Sequence, residues 1–415
     1  MGKSLGRLTA PASAGIAVLL FAVGVALVAP AAAAAEKKPQ LSEALVKKLK
    51  PAQDACQKND FDTCVNLARE ALPIAKTPYE QQQTLQFIVF GLGKKGDFPA
   101  YAEAVEQLND NELQPAEEKV KSYPNLAKIF YQQKNFEKAE KYTKLWTETA
   151  PSPEAYGILV AIYYTQQNCP ATIAAQEKGI EVEKAAGKEA TEQELRILNS
   201  CYYRTNDKPH REGVMEALVK RFPKADYYTD LLQVYQDENL DKRALLNLLR
   251  FGVEKDYIAR ESLFVEYADQ ALDAGAPAEA LRVIDVATAK GAFKIIAQSD
   301  RNGKLMAAAK QQTAEDKKLL PQLDKEARTG KNGEADVKVG LAYMGFGDYD
   351  KAVEAIERGL TADRVGKVKR VDDAQMMLGI SYFKLGKIDA AKKAFTAAEA
   401  DPRMTKAATV WLQSL

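Results

Sequence analysis

The chain of 415 residues has one histidine, His210, set between Pro209 and Arg211. Any catalytic triad or histidine general base would have to use it, and a histidine-rich zinc site is excluded. Its polar surroundings point to an exposed turn residue. Ser381-Tyr382-Phe383-Lys384 has the S-x-x-K spacing of serine acyl-transferring enzymes, which on a helix sets hydroxyl and amine on neighbouring positions. No S-D-N or K-T-G partner accompanies it, so a chance match is the better reading. The stretches Gly91-Leu92-Gly93-Lys94-Lys95-Gly96 and Gly345-Phe346-Gly347 lack the G-x-x-x-x-G-K-[ST] order that cradles phosphate, and neither follows a strand pattern. Aspartates and glutamates spread along polar faces. The expectation is a non-enzyme with no cofactor and no metal.

The four cysteines fall in two local pairs. Cys56 and Cys64 flank Asn59-Asp60, while Cys169 lies in a turn and Cys201 on the helix that follows. Four cysteines allow three connectivities, and sequence does not choose among them. Locality favours Cys56–Cys64 and Cys169–Cys201; the other reading is four small buried thiols. Disulfides would accord with export. Residues 1–35 read as a cleaved signal peptide: Lys3 and Arg7, an apolar run over 16–28, then Ala33-Ala34-Ala35 before Glu36. An uncleaved anchor competes, but Pro30 and the weakly hydrophobic alanines weigh against it. Removing Lys3 and Arg7 from the 58 basic residues leaves 56 against 57 acidic ones. Such a balance, without a basic stripe, gives no reason to expect nucleic acid or anionic membrane as partner. No later segment is apolar enough to span a bilayer. The expected location is the periplasm, with secretion or N-terminal anchoring as alternatives.

The elements that would position any site are helices. Leu378-Gly379, Tyr382, the turn Gly386-Lys387-Ile388-Asp389, then Ala391, Phe395, Ala398 and Pro402 echo an earlier run. That run is Val339-Gly340, Tyr343, Gly347-Asp348-Tyr349-Asp350, Ala352, Ile356 and Gly359. A small residue three before a tyrosine, a polar turn, and small or apolar residues at steps of four and three describe two antiparallel helices in close contact. The pattern resembles the tetratricopeptide repeat, L-G-x2-Y…A-x3-F…P with a period of about 34 residues. The resemblance implies an all-α fold, a right-handed superhelix (α-solenoid) of stacked antiparallel helical hairpins.

Laid back along the chain, the same ruler assigns hairpins to residues 36–290. Pro51 is expected to kink or start the first helix. The clearest of these hairpins carry Leu126-Ala127 and Phe130, or Ala268, Ala271 and the turn Gly275-Ala276-Pro277. Residues 291–332 break the pattern and read as two helices over 304–312 and 314–328. Two clear repeats fill 333–402, and 403–415 forms a capping helix that covers the last hairpin with Trp411 and Leu412.

In repeats of this kind the first helices line a concave face. The resemblance places Lys128, Tyr131, Tyr164, Tyr203 and Arg204 there, followed by Leu341, Met344, Met376, Ile380, Phe383 and Lys384. Tyr131, Tyr164 and Tyr203 recur at one repeat position, an aromatic ladder suited to recognition, or else a set that packs on adjacent helices. The methionine-containing cluster suits an extended peptide or an amphipathic helix. The expected function is a non-catalytic protein- or peptide-binding scaffold of the cell envelope, resembling exported repeat proteins of Gram-negative bacteria. Alternatives are an enzyme or accessory acting on peptidoglycan or glycan, and a structural or sensory subunit of a larger envelope complex.

Overall fold

The computed structural model describes residues 40–237, 239–295, 297 and 300–415; the signal-peptide reading of residues 1–35 lies outside them. One turn chemistry recurs through these residues. A first helix ends on a residue with positive φ, and the next side chain caps the second helix. Gly96 (φ 76°) precedes Asp97, which accepts from Ala100 N; Lys134 (φ 59°) precedes Asn135, which accepts from Lys138 N. Gln167 with Asn168, and Gly347 with Asp348, repeat the device. The left-handed residue reverses the chain while the Asx oxygen satisfies an orphan N–H.

The chain forms two compact units, the first ending at Asn206 and the second beginning at Asp207. In the first unit, helices α1 (Glu43–Gln57), α2 (Phe61–Ala71), α3 (Pro78–Lys95), α4 (Phe98–Asp110), α5 (Ala116–Gln132), α6 (Phe136–Thr149), α7 (Pro153–Thr165), α8 (Cys169–Ala185) and α9 (Glu192–Arg204) each pack on the next. Pro51 lies inside α1 rather than at its start. One apolar core runs the length of this row, from Leu45 through Leu92 and Phe130 to Ile162.

The second unit holds α10 (Lys208–Arg221), α11 (Ala225–Asp237), α12 (Lys242–Glu254), α13 (Glu261–Asp273), α14 (Pro277–Ala289), α15 (Arg301–Thr329), α16 (Gly333–Phe346), α17 (Tyr349–Gly359), α18 (Val371–Lys384), α19 (Ile388–Glu399) and α20 (Thr405–Leu412). The two helices expected over 304–328 are the single α15, since nothing near Thr313 breaks a helix and Pro321 is accommodated within it. This row also closes on itself: α12 packs on α18 and α20 as well as on its chain neighbours. Every residue of α12 from Ala244 to Gly252 is consequently buried, the signature of a helix surrounded on all sides. No strand occurs among the described residues, so the expected all-α stack of helical hairpins is what each unit contains.

Hairpin packing rests on small residues. A Cβ built at Gly379 would stand 2.5 Å from the Phe395 ring, and one at Gly340 would stand 2.4 Å from Ile356. The repeat tyrosines then enter the space between hairpins, and each hydroxyl finds a carboxylate on a neighbouring helix. Tyr163 donates to Glu140 (2.9 Å), Tyr235 to Glu216 (2.6 Å), Tyr343 to Asp324 (3.1 Å) and Tyr382 to Glu357. Burial, and then the Glu357 carboxylate, push the Tyr382 hydroxyl up to about 12, so it stays a donor.

At the start of the first unit Glu80 does comparable work. Its carboxylate accepts from Ser42 N (2.9 Å), Lys76 N (2.8 Å) and Thr77 N (3.2 Å), tying the entry of α1 to that of α3. These bonds, Ser42 first, hold its carboxyl down to about 2.

Two outcomes are expected. Gly379→Ala should lower stability in urea melts by about 1–3 kcal/mol, because the fully buried Phe395 has no free direction in which to move. The Glu80 contribution should be complete above the unfolded glutamate value of about 4.3 and fade as pH falls towards 2. The stability gap between the native chain and Glu80→Gln should therefore narrow in melts taken from pH 5 down to pH 2.

Candidate functional site

The centre of the second unit is polar. Arg250 on α12 donates through Nε and Nη2 to both Glu279 oxygens, each at 2.8 Å, and through Nη1 to Asn247 Oδ1 at 2.8 Å. Tyr267 donates to the same Glu279 at 2.7 Å. Asn247 Nδ2 in turn donates to Asp373 Oδ1 on α18 at 2.9 Å. Burial pushes the Glu279 carboxyl up, but the Arg250 charge and its hydrogen bonds outweigh this and hold it below the ordinary value. Asp373, without so direct a cation, is pushed up by burial. Four helices, α12, α13, α14 and α18, meet here around the Arg250–Glu279 pair.

The same closure decides the fate of the expected apolar surface. Leu341, Met344, Met376 and Ile380 are buried, Met376 completely. Phe383 meets the Trp411 ring edge-on at 5.6 Å, and Lys384 pairs with Glu254. Trp411 stacks on Phe395 at 5.4 Å, meets Phe251 at 5.3 Å, and donates Nε1–H to Asn247 O at 3.0 Å. The expected open cluster is thus corrected to an interior, because α12 and α20 fill the face that α18 would otherwise present. Leu341 lines a cavity of about 780 Å³, and Met344 and Ile380 line one of about 220 Å³.

In the first unit Lys128 pairs with Glu154 at 2.9 Å and lies over the Trp146 ring. Tyr131 is half-buried, tilts against Phe136, and lines a cavity of about 180 Å³ with Tyr156 and Gly157. The Tyr164 hydroxyl meets Ser200 Oγ at 3.4 Å, and Arg204 covers its ring at 5.6 Å. Tyr203 alone of the three is exposed, at 68%. Tyr131 and Tyr164 are therefore engaged by neighbouring side chains, while Tyr203 stands largely in solvent. Cys56 and Cys64 are bonded across the α1–α2 turn. The second expected bond is not made: Cys169 and Cys201 are free, buried thiols. They do meet, and burial together with Cys169 pushes the Cys201 thiol up to about 12.

Neither candidate catalytic group is assembled for chemistry. Ser381 is buried and donates to Met377 O at 2.8 Å, a bond within its own helix. His210 is exposed and holds Asp207, the cap of α10, at 2.8 Å. Among the described residues no three His, Cys, Asp or Glu side chains gather as metal ligands.

A sizeable concavity was missed in sequence. It is a groove of about 780 Å³ in the second unit between α15 and α16, lined among others by Asp316, Leu320, Leu323, Lys338, Val339 and Ala342. Reading 291–332 as a lapse in the pattern hid the signal, which is the 4-3-4 spacing of Asp316, Leu320, Leu323 and Ala327.

The tetratricopeptide repeat family profiles match residues 337–365, spanning α16 and α17, and residues 373–400, spanning α18 and α19. These two stretches of the chain are tetratricopeptide repeats. No curated protein sequence matches it. Among solved structures it is similar to a tetratricopeptide repeat protein from Parabacteroides merdae, at 11% identity and a TM-score of 0.28, over 65% of this chain and 99% of the other. It is also similar to the TPR2AB domain of yeast Sti1 in its pHSP90 complex, at 17% identity and a TM-score of 0.30, over 65% of this chain and 96% of the other. At these scores nothing about partners carries over.

Breaking the central pair while leaving its partner buried should be costly. Arg250→Met is expected to destabilise the protein by about 3–5 kcal/mol, since Glu279 would be left charged and unpaired. Arg250→Met combined with Glu279→Leu should recover part of that loss in the same denaturant melts.

Proposed function

We propose that this chain is a non-catalytic scaffold of the cell envelope that holds a protein or peptide partner through its repeats. The observation that carries the reading is the groove beside the matched repeats, with Leu323 on its wall 46% exposed. A leucine held half in water next to an open apolar concavity is what a surface awaiting a partner offers. The non-catalytic part is supported by the bonds that already engage Ser381, Lys384 and His210. The envelope part is supported by the bonded Cys56–Cys64 pair and by the meeting of Cys169 with Cys201, which an oxidising compartment would join. Among the described residues no helix is long and apolar enough to cross a membrane.

Full-length protein produced in a Gram-negative host and mapped by non-reducing mass spectrometry is expected in the periplasmic fraction with both cysteine pairs bonded. Crosslinking in those cells is expected to yield an adduct with one identifiable polypeptide. Recovery from the cytosol with free thiols contradicts the envelope reading, and the lack of any adduct contradicts the scaffold reading.

A further inference from the structure

We propose that α9 is a separable edge of the first unit, and that a disulfide made between Cys169 and Cys201 by thiol–disulfide exchange latches it onto α8. The proposal goes beyond the scaffold reading and requires no partner.

The seam between α8 and α9 is weak along most of its length. α9 is the last helix of the first unit, and among the described residues only Ile197 of α9 enters the apolar core that runs from Leu45. A cavity of about 180 Å³ lies where the start of α9 meets α7 and α8, with Gly157, Gln176, Gly179 and Gln193 on its walls. Side chains that border such a space forgo the contacts that closer packing would supply. At the same end Glu183 of α8 faces Glu194 of α9. Burial, and then the Glu194 charge, push the Glu183 carboxyl up, and its buried Oε2 has no hydrogen-bond partner among the described residues. Two carboxylates brought together in this way oppose the contact they share. Further along, Tyr202 donates to Glu177 at 2.5 Å and keeps the two helices in register.

At the other end of the seam the thiols meet. Cys169 opens α8 and Cys201 lies near the end of α9, so this pair joins one hairpin to the next. Cys56 and Cys64, by contrast, close a single hairpin. Cys169 is 5% exposed and Cys201 0%, and a thiol so covered meets an oxidant only when its cover lifts. The bond is therefore made from the state in which α9 has moved off α8. The Cys169 thiolate attacks the disulfide of a small-molecule or protein oxidant, forming a mixed disulfide and expelling one thiolate. The Cys201 thiolate then displaces the other half, which leaves the Cys169–Cys201 bond. The oxidant's disulfide is reduced to two thiols, and the protons given up by the two cysteines end there. Once α9 recloses, the bond restricts further opening. It also fixes Ser200 and Arg204 against Tyr164 of α7, whose hydroxyl meets Ser200 Oγ at 3.4 Å and whose ring lies under Arg204.

The test is hydrogen exchange followed by mass spectrometry on the full-length protein, first in a dithiol reductant and then after treatment with oxidised glutathione. In the reduced protein the amides of α9 are expected to exchange at least about tenfold faster than those of α7. After oxidation, peptide mapping should show Cys169 bonded to Cys201, and exchange in α9 should slow about thirtyfold or more while α7 keeps its rate. Changes in α1 and α2 report the Cys56–Cys64 bond separately. Cys201→Ala is expected to exchange in α9 like the reduced protein under both conditions. Equal protection of α7 and α9 in the reduced protein overturns the proposal, as does the lack of a Cys169–Cys201 bond after oxidation. A bond that leaves α9 exchange unchanged overturns it too, and so does slowing of α9 by the oxidant in Cys201→Ala. Because the purified chain is measured without a partner, these outcomes and the crosslinking outcomes in cells stand or fall separately.

Discussion

The repeat tyrosine joined to a neighbour's carboxylate is the contact on which the stack depends. An aromatic ring large enough to fill the space between hairpins brings a hydroxyl that cannot be left unpaired out of water. Glu140, Glu216, Asp324 and Glu357 supply its acceptor from adjoining helices. Because each bond joins two helices that meet only when correctly stacked, it reports registry as well as adding stability. The glycines at 340 and 379 are the other half of this arrangement, since a side chain there would separate the two helices of the hairpin.

In the second unit the same stacking ends differently. The row bends until α12 is enclosed by α18 and α20, and the concave face becomes an interior. Enclosure forces Arg250, Glu279, Asn247 and Asp373 to satisfy one another, and they do so with bonds of 2.8–2.9 Å. A buried ionic network of this type adds less net stability than its bond count suggests, but it penalises any arrangement in which a member is left alone. It therefore favours one closed packing over looser alternatives. Trp411 completes the enclosure by donating to the backbone of α12.

An open concavity lies instead beside an element that departs from the repeat. With α16 and α18 covered along much of their length, the open concavity lies where the 29-residue α15 runs past α16. Leu323 on its wall is half exposed, whereas Leu320 beside it is buried against α16.

Much was legible from the sequence alone. The spacing of Gly379, Tyr382, Ala391 and Phe395 determined a helical hairpin, because only helices bring residues at steps of three and four onto one face. Locality favoured Cys56–Cys64 among three open connectivities and that bond is made, while the same argument for Cys169 and Cys201 gave two thiols that meet without bonding. The exposure of Met344, Met376 and Ile380 was not legible, nor was the role of Leu323. A periodic pattern states which residues share a face of their own helix, but not what distant segment comes to cover that face. Only the tertiary structure, by bringing α12 and α20 against α18 across more than a hundred residues of chain, decided which apolar stripe became core and which stayed open.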